Sequence, residues 1–269
     1  MFELIRLLSI LFAVIWGLFG YAIIDLTVLL TWNAWFVPVL PLEASWGALL
    51  TFFVTVPFVV VAVRPRRWAD AAVMGGIAVA ALVAGAVLAA DAATLWIAGV
   101  LALCVGGLAI PGSAGRRSGE LIDAPPWRGR LDIPLLLLGL AAVPLWAPYV
   151  VNATAGADHL PSDTTLGLDH WPVHIAAGIA IPAGALAAAF VVRLRTLAGS
   201  AAALSAISIG VAMAASQGRP AASESAHWSV VAVLWGASVL MAVIWALQRT
   251  PRSRRFRERV DRASSRSTS

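Results

Sequence analysis

The stretch ADHLPSDTTLGLDHWPVH, residues 157–174, holds three of the chain's four histidines and three of its fourteen acidic residues. His159, His170 and His174 stand beside Asp158, Asp163 and Asp169, and the fourth histidine, His227, lies in a later segment. His170 and His174 are spaced i, i+4. On a helix that reaches back to residue 170 their imidazoles share one face, the spacing that lets two ring nitrogens meet one metal ion. Pro172 suits the first turn of such a helix. Zinc or copper accepts donors of this kind, with His159, His170, His174, His227 and Asp169 as the candidate ligand set. The same residues could instead serve as a proton path or hold a small solute, an imidazole cluster flanked by carboxylates being suited to both. A third option is a b-type haem held axially by His174 and His227. The glutamate base of a zinc-protease HExxH pattern is missing. Asp25, in YAIIDLTVLLTW, joins the candidates because an acid inside an apolar run marks an ion or substrate path by default.

The elements that must position these residues are membrane helices. Of the 269 residues 60% are hydrophobic and 12% charged, and the mean hydropathy is +0.86. Soluble domains carry about 25% charged residues. A spanning helix needs roughly 20 mostly apolar residues to cross about 30 Å of hydrocarbon. Runs of that kind occur near residues 7–31, 46–63, 71–90, 92–110, 133–151, 172–192, 196–216 and 228–248. They are too long and too continuous for barrel strands, and helices satisfy their own backbone groups in lipid. The expected fold is an all-α integral membrane protein of about eight transmembrane helices. The first run, preceded by Glu3 and Arg6, reads as a span and not as a cleaved signal.

Sidedness follows from arginine, because short cytoplasmic loops collect positive charge. The chain has no lysine, and of its 19 basic residues all but Arg219 fall on one side of an eight-helix threading. Both termini are therefore expected in the cytoplasm of a bacterial or archaeal cell, with the chain in its plasma (inner) membrane. The net charge of +5 expresses that topology, and the basic tail, residues 249–269, is read as a disordered cytoplasmic segment drawn to anionic lipid and not to nucleic acid. The loop 152–171 and the start of the last helix then lie outside, which places all four histidines on one face.

An internal repeat is visible. PLEASWGALLTFFVTVPFVVVAVRPRRWADAA (41–72) and GLDHWPVHIAAGIAIPAGALAAAFVVRLRTLAGSAAA (167–203) share the order acid, tryptophan, apolar helix with proline, arginines, then an Ala/Gly-rich helix. Trp46 precedes Pro57, and Trp171 precedes Pro182, by the same interval of 11. Trp96 and Trp228 start the fourth and eighth helices. The chain is thus expected to form two parallel four-helix repeats, 1–110 and 133–248, joined by a cytoplasmic linker, 111–132, and related by an axis along the membrane normal. Gly75, Gly76, Gly199 and Gly210 in the third and seventh helices are expected to let backbones approach at the packing core. Glu43, Asp91, Asp169 and Glu224 each precede a tryptophan at an outer helix start, where helix capping and interface anchoring account for them. No histidine occurs in the first half, so chemistry is expected on the outer face of the second.

Several classes are excluded. Without lysine there is neither a retinal Schiff base nor a P-loop. The lone Cys104 cannot form an intrachain disulfide relay. What remains is a transporter or membrane enzyme handling a small molecule or metal ion, or a non-catalytic subunit, sensor or assembly factor acting through lateral partners or self-association.

Overall fold

A computed structural model of the chain describes residues 2–31, 39–117, 131–159, 164–165, 168–219 and 224–249. Most of the linker and all but the first residue of the basic tail lie outside these segments. Among these residues ten α-helices follow in order: α1 (Phe2–Val14), α2 (Ala22–Thr31), α3 (Leu40–Ala48), α4 (Val56–Val63), α5 (Trp68–Leu88), α6 (Ala92–Arg117), α7 (Ile133–His159), α8 (Trp171–Phe190), α9 (Arg195–Ala215) and α10 (Ala226–Gln248). Wide π-helical turns continue α1 through Ile15–Phe19 and join α3 to α4 through Leu49–Thr55. Two-residue strands, β1 (Thr164–Thr165) and β2 (Leu168–Asp169), pair antiparallel ahead of α8.

Among the described residues eight helical stretches of 18 to 27 residues are long and apolar enough to cross a membrane: Phe2–Phe19, Leu40–Val63, Pro65–Leu88, Ala92–Ala114, Ile133–His159, Trp171–Phe190, Arg195–Ala215 and Ala226–Gln248. At ~1.5 Å per residue all reach, or nearly reach, across ~30 Å of hydrocarbon. The chain is an all-α, multi-pass, membrane-type protein.

Three boundaries differ from the sequence reading. The first apolar run is not one helix. It breaks at Gly20 and Tyr21, where Tyr21 has φ +60°, so the span ends at Phe19 and α2 starts a separate short helix carrying Asp25. A left-handed tyrosine costs on the order of 1–2 kcal/mol, which tertiary contacts must offset. One such contact is the Trp46 indole N–H donating to the Gly20 carbonyl at 2.9 Å. Secondly, α7 runs on to His159, so what was read as the start of an outer loop is helical. Thirdly, α6 continues through Pro111 to Arg117 instead of yielding to the linker at 111. The Trp68 ring lies against Gly112 so closely that a Cβ there would stand 2.3 Å from it, and this docking holds the extra turns on α5.

The spans pack in a definite neighbour order. In residues 2–114, α1 packs on α4, the second span on α5, α5 on α6, and α1 on α6. In residues 133–248, α7 packs on α8, α8 on α9, α9 on α10, and α7 on α10. Between these groups α5 meets α8, α9 meets α3, and α3 meets α8. The second, sixth and seventh spans are the inner ones, with 67% of the most apolar 18-residue stretch of each buried against 22% in the first.

Small residues make the close approaches. A Cβ on Gly85 would stand 2.2 Å from the Pro172 carbonyl oxygen, one on Gly47 would stand 2.5 Å from the Leu26 nitrogen, and one on Gly236 would stand 2.7 Å from the Ala203 carbonyl oxygen. Such contacts replace the hydrophobic effect, which is absent between helices in lipid. In the third helix Gly75 packs closely against Val105 of α6, as expected, whereas Gly76 faces open space, and α5 meets α8 through Gly85. Gly199 and Gly210 do pack, against Val243 and against Val233 with the Ser229 carbonyl.

Candidate functional site

Glu43 and Ser45 on α3 meet Tyr149 on α7 and His170 and His174 at the start of α8. The site therefore draws on both halves of the chain. Pro172 opens α8, and the His174 amide bonds to the His170 carbonyl at 2.8 Å, so the helix does reach back to residue 170. Asp169 receives the Trp171 amide at 2.9 Å and caps this end, as expected of it. Both imidazoles are fully buried.

They take different partners. His174 Nδ1 lies 2.8 Å from Ser45 Oγ and 2.9 Å from the Tyr149 hydroxyl. Its ring tilts against Tyr149, centroids 4.6 Å apart, and meets the edge of Trp171 at 5.5 Å. His170 stacks on Trp46 with centroids 4.6 Å apart, and its Nδ1 lies 3.7 Å from Glu43 Oε1. Glu43 is only 3% exposed. The Ser45 hydroxyl also donates to the Leu42 carbonyl at 2.8 Å. With its one proton so used, Ser45 accepts from His174 Nδ1–H in one tautomer, whereas in the other His174 Nδ1 accepts from Tyr149 O–H. The cluster can thus exchange hydrogen-bond direction without moving a heavy atom.

An aromatic wall closes the side toward α10. Trp228 stacks on Tyr149 at 5.3 Å with the rings 13° apart, and Trp146 meets Tyr149 edge-on at 5.1 Å. The Trp228 and Trp235 indoles donate to the carbonyls of Leu145 at 2.9 Å and Leu138 at 3.0 Å, fastening α10 to α7. Such bonds satisfy indole N–H groups that lipid cannot.

The remaining sequence candidates are placed elsewhere. His227 is exposed on the first turn of α10, and His159 is exposed at the end of α7. It is Trp228, the residue after His227, that reaches the cluster. Among the described residues no hydrogen bond, ion pair or ring contact joins His227 or His159 to His170 or His174. The expected ligand set of His159, His170, His174, His227 and Asp169 is not assembled. Among the described residues no group of three or more His, Cys, Asp or Glu side chains is placed to hold a metal ion. Nor do His174 and His227, one sealed and one exposed, stand as an axial haem pair. Asp25 is buried at 4% exposure in the first turn of α2, which packs on α3 beside Gly47. The Thr27 hydroxyl, two residues on, donates to the Ile24 carbonyl at 2.6 Å. Asp158 is exposed, and Asp163 lies outside the described residues.

Of the four acids that precede a tryptophan, capping holds for two. Asp91 receives the amides of Ala93 and Thr94 at 2.9 and 3.1 Å, and Asp169 caps α8. Ser225, not Glu224, caps α10. Glu224 accepts from Asn152 at 2.7 Å, and partial burial pushes its carboxyl above the ordinary range against that bond. Glu43 faces His170.

Glu43, Ser45 and Tyr149 were not singled out from the sequence as site residues. A signal existed for two of them. Glu43 precedes Trp46 by three, hence on one helical face, and Tyr149 is one of only two tyrosines.

A second polar group ties the other end of the bundle. Asp70, on α5, is 1% exposed and receives Arg67 Nε at 2.6 Å and Arg193 Nε at 2.8 Å. Arg67 donates to the Arg193 carbonyl at 3.0 Å and Arg193 to the Arg66 carbonyl at 2.6 Å, so the turns before α5 and α9 exchange guanidinium bonds.

No protein-family model matches the chain, and no curated protein or solved structure is significantly similar to it.

Proposed function

We propose that the chain is a plasma-membrane protein of two parallel four-helix repeats that handles a small solute or ion, linked to protons, at the Glu43–His170–His174 cluster. The observation that carries this reading is the buried Glu43–His170 pair, 3.7 Å apart and contributed by opposite halves. Ionisable side chains inside a membrane bundle are costly and are kept where they bind or move charge. A proton gained or lost there changes the electrostatics of the surface on which the halves meet. His174 on α8 and Tyr149 on α7 form the neighbouring part of the cluster, Asp169 precedes His170 in the chain, and Asp25 lies buried on α2, which packs on α3.

The repeat reading is supported by neighbour order. Helices one to four and five to eight each close as a ring in the same sequence, and the α5–α8 and α3–α9 contacts exchange under a two-fold axis that relates α3 to α8. The arginines at residues 6, 64, 66, 67, 193 and 195 gather at one bundle end, which supports a cytoplasmic assignment for that end.

Spin labels at Val87→Cys on α5 and Val151→Cys on α7, in a Cys104→Ala background, test the proton link. Both native side chains are exposed. The distance distribution is expected to change between pH 8 and pH 5, and to stop changing in Glu43→Gln. A distribution that ignores pH in the unsubstituted cluster overturns the reading.

A further inference from the structure

At the far end of the span that carries Glu43 and Ser45, the start of α1, the end of α4 and the turn Pro65–Arg67 enclose a cleft of about 500 Å³ lined by Phe2, Arg6, Arg64, Pro65, Arg66 and Arg67. Four guanidinium-bearing residues on so small a surface repel one another unless anions stand among them. Two are matched within the chain: Arg6 by Glu3 at 2.9 Å and Arg67 by Asp70 at 2.6 Å. Among the described residues no carboxylate pairs with Arg64 or Arg66. The Arg66 guanidinium lies 5.7 Å above the Phe2 ring, which orients it without neutralising it.

The place of the cleft narrows the anion. Three spans end there, at Phe2, Val63 and Pro65, so it lies at the depth where lipid phosphates lie. Val59 and Val63, four residues apart on one face of α4, are 46% and 70% exposed and lead along the helix to Arg64. A free phosphate would meet the two arginines and leave this apolar track bare. A lipid meets both.

We propose that the cleft binds one anionic glycerophospholipid, its phosphate between Arg64 and Arg66 and an acyl chain along Val59 and Val63. Arginine suits this task through its planar fork of donors, which matches phosphate oxygens. Arg6 and Arg67, held by their own carboxylates, frame the headgroup and add little charge. The site is independent of the histidine cluster.

Native mass spectrometry of the full chain in detergent, titrated with phosphatidylglycerol or with phosphatidylcholine of the same acyl chains, tests this. One phosphatidylglycerol is expected to bind about tenfold ahead of phosphatidylcholine, and 10 mM inorganic phosphate is expected not to displace it. Each of Arg64→Gln and Arg66→Gln should weaken it about fivefold and the pair about thirtyfold, as expected for arginines near a lipid surface. Arg249→Gln, whose guanidinium rests 3.3 Å from the Trp245 ring at another helix end, should bind as the unsubstituted chain does. Equal binding of the two lipids, displacement by inorganic phosphate, or full binding by the double variant would overturn the proposal. The first two are read on the unsubstituted chain, so they decide the matter even where the double variant fails to fold.

Discussion

Ser45 Oγ lies 2.8 Å from His174 Nδ1, across 129 residues of chain and between the second and sixth spans. Both side chains are fully buried, and Tyr149 approaches the same nitrogen at 2.9 Å. Ser45→Ala or Tyr149→Phe alone leaves Nδ1 one hydroxyl and should cost about 1 kcal/mol. Together they leave a buried ring nitrogen without either, so the double variant should lose about 1–3 kcal/mol beyond the sum. Thermal unfolding of the four proteins in detergent measures the coupling. Strict additivity would mean that the three groups do not act as one network.

Asp70 is the anion of the opposite end. Asp70→Asn leaves Arg67 and Arg193 facing each other, and breaking a buried pair costs about 3–5 kcal/mol. The two arginine side chains keep 26% and 21% exposure, so solvent screening lowers the expected loss to about 2–3 kcal/mol. Because the two turns also exchange guanidinium-to-carbonyl bonds, limited proteolysis should open the 64–67 and 193–195 turns together. Cleavage at one turn alone would show that they are not coupled.

Glu224 carries a pH signature. Burial raises its carboxyl in the folded state, so the folded chain binds a proton that the unfolded chain has already released. Its contribution to stability is full at pH values below the ordinary glutamate range and is lost as pH rises through the raised value. Glu224→Gln keeps an acceptor for Asn152 and removes the titration. Its melting temperature should therefore fall less than that of the parent between pH 4 and pH 7. An unchanged pH slope would show that Glu224 is solvated like a surface carboxylate.

Orientation is open to reporter fusions. Fusions after residue 160 and after residue 222 should read outside, and fusions after residue 120 and at Ser269 inside. A cytoplasmic signal from residue 160 would invert the sidedness inferred from arginine.

How much could be read from the residues differs from one feature to the next. The apolar runs place eight spans because hydrocarbon thickness sets helix length, and the described residues hold eight helices of spanning length, the first of them ending at Phe19. Within the first run the break at Tyr21 was invisible, since an apolar sequence reads alike through a helix and through a turn held by the indole of Trp46. Asp91 and Asp169 announce their caps because capping is local, decided by residues two or three positions away. Glu43 looks the same by that local rule, and only its distance to His170 separates it.

The pairing of His170 with His174 also follows from local geometry, since a helix with Pro172 in its first turn brings both to one end. Their partners do not. Ser45 lies 129 residues from His174 and Arg193 lies 126 residues from Arg67, and no periodicity reports which helix faces a neighbour. That choice is made where small residues permit contact, as where Gly85 admits the Pro172 carbonyl. The sequence by itself determined the membrane class, the number of spans and the placing of His170 and His174 together at one helix start. The tertiary packing decided that His227 stays outside while Glu43 goes in, because burial inside a bundle depends on which face of each helix its neighbours cover.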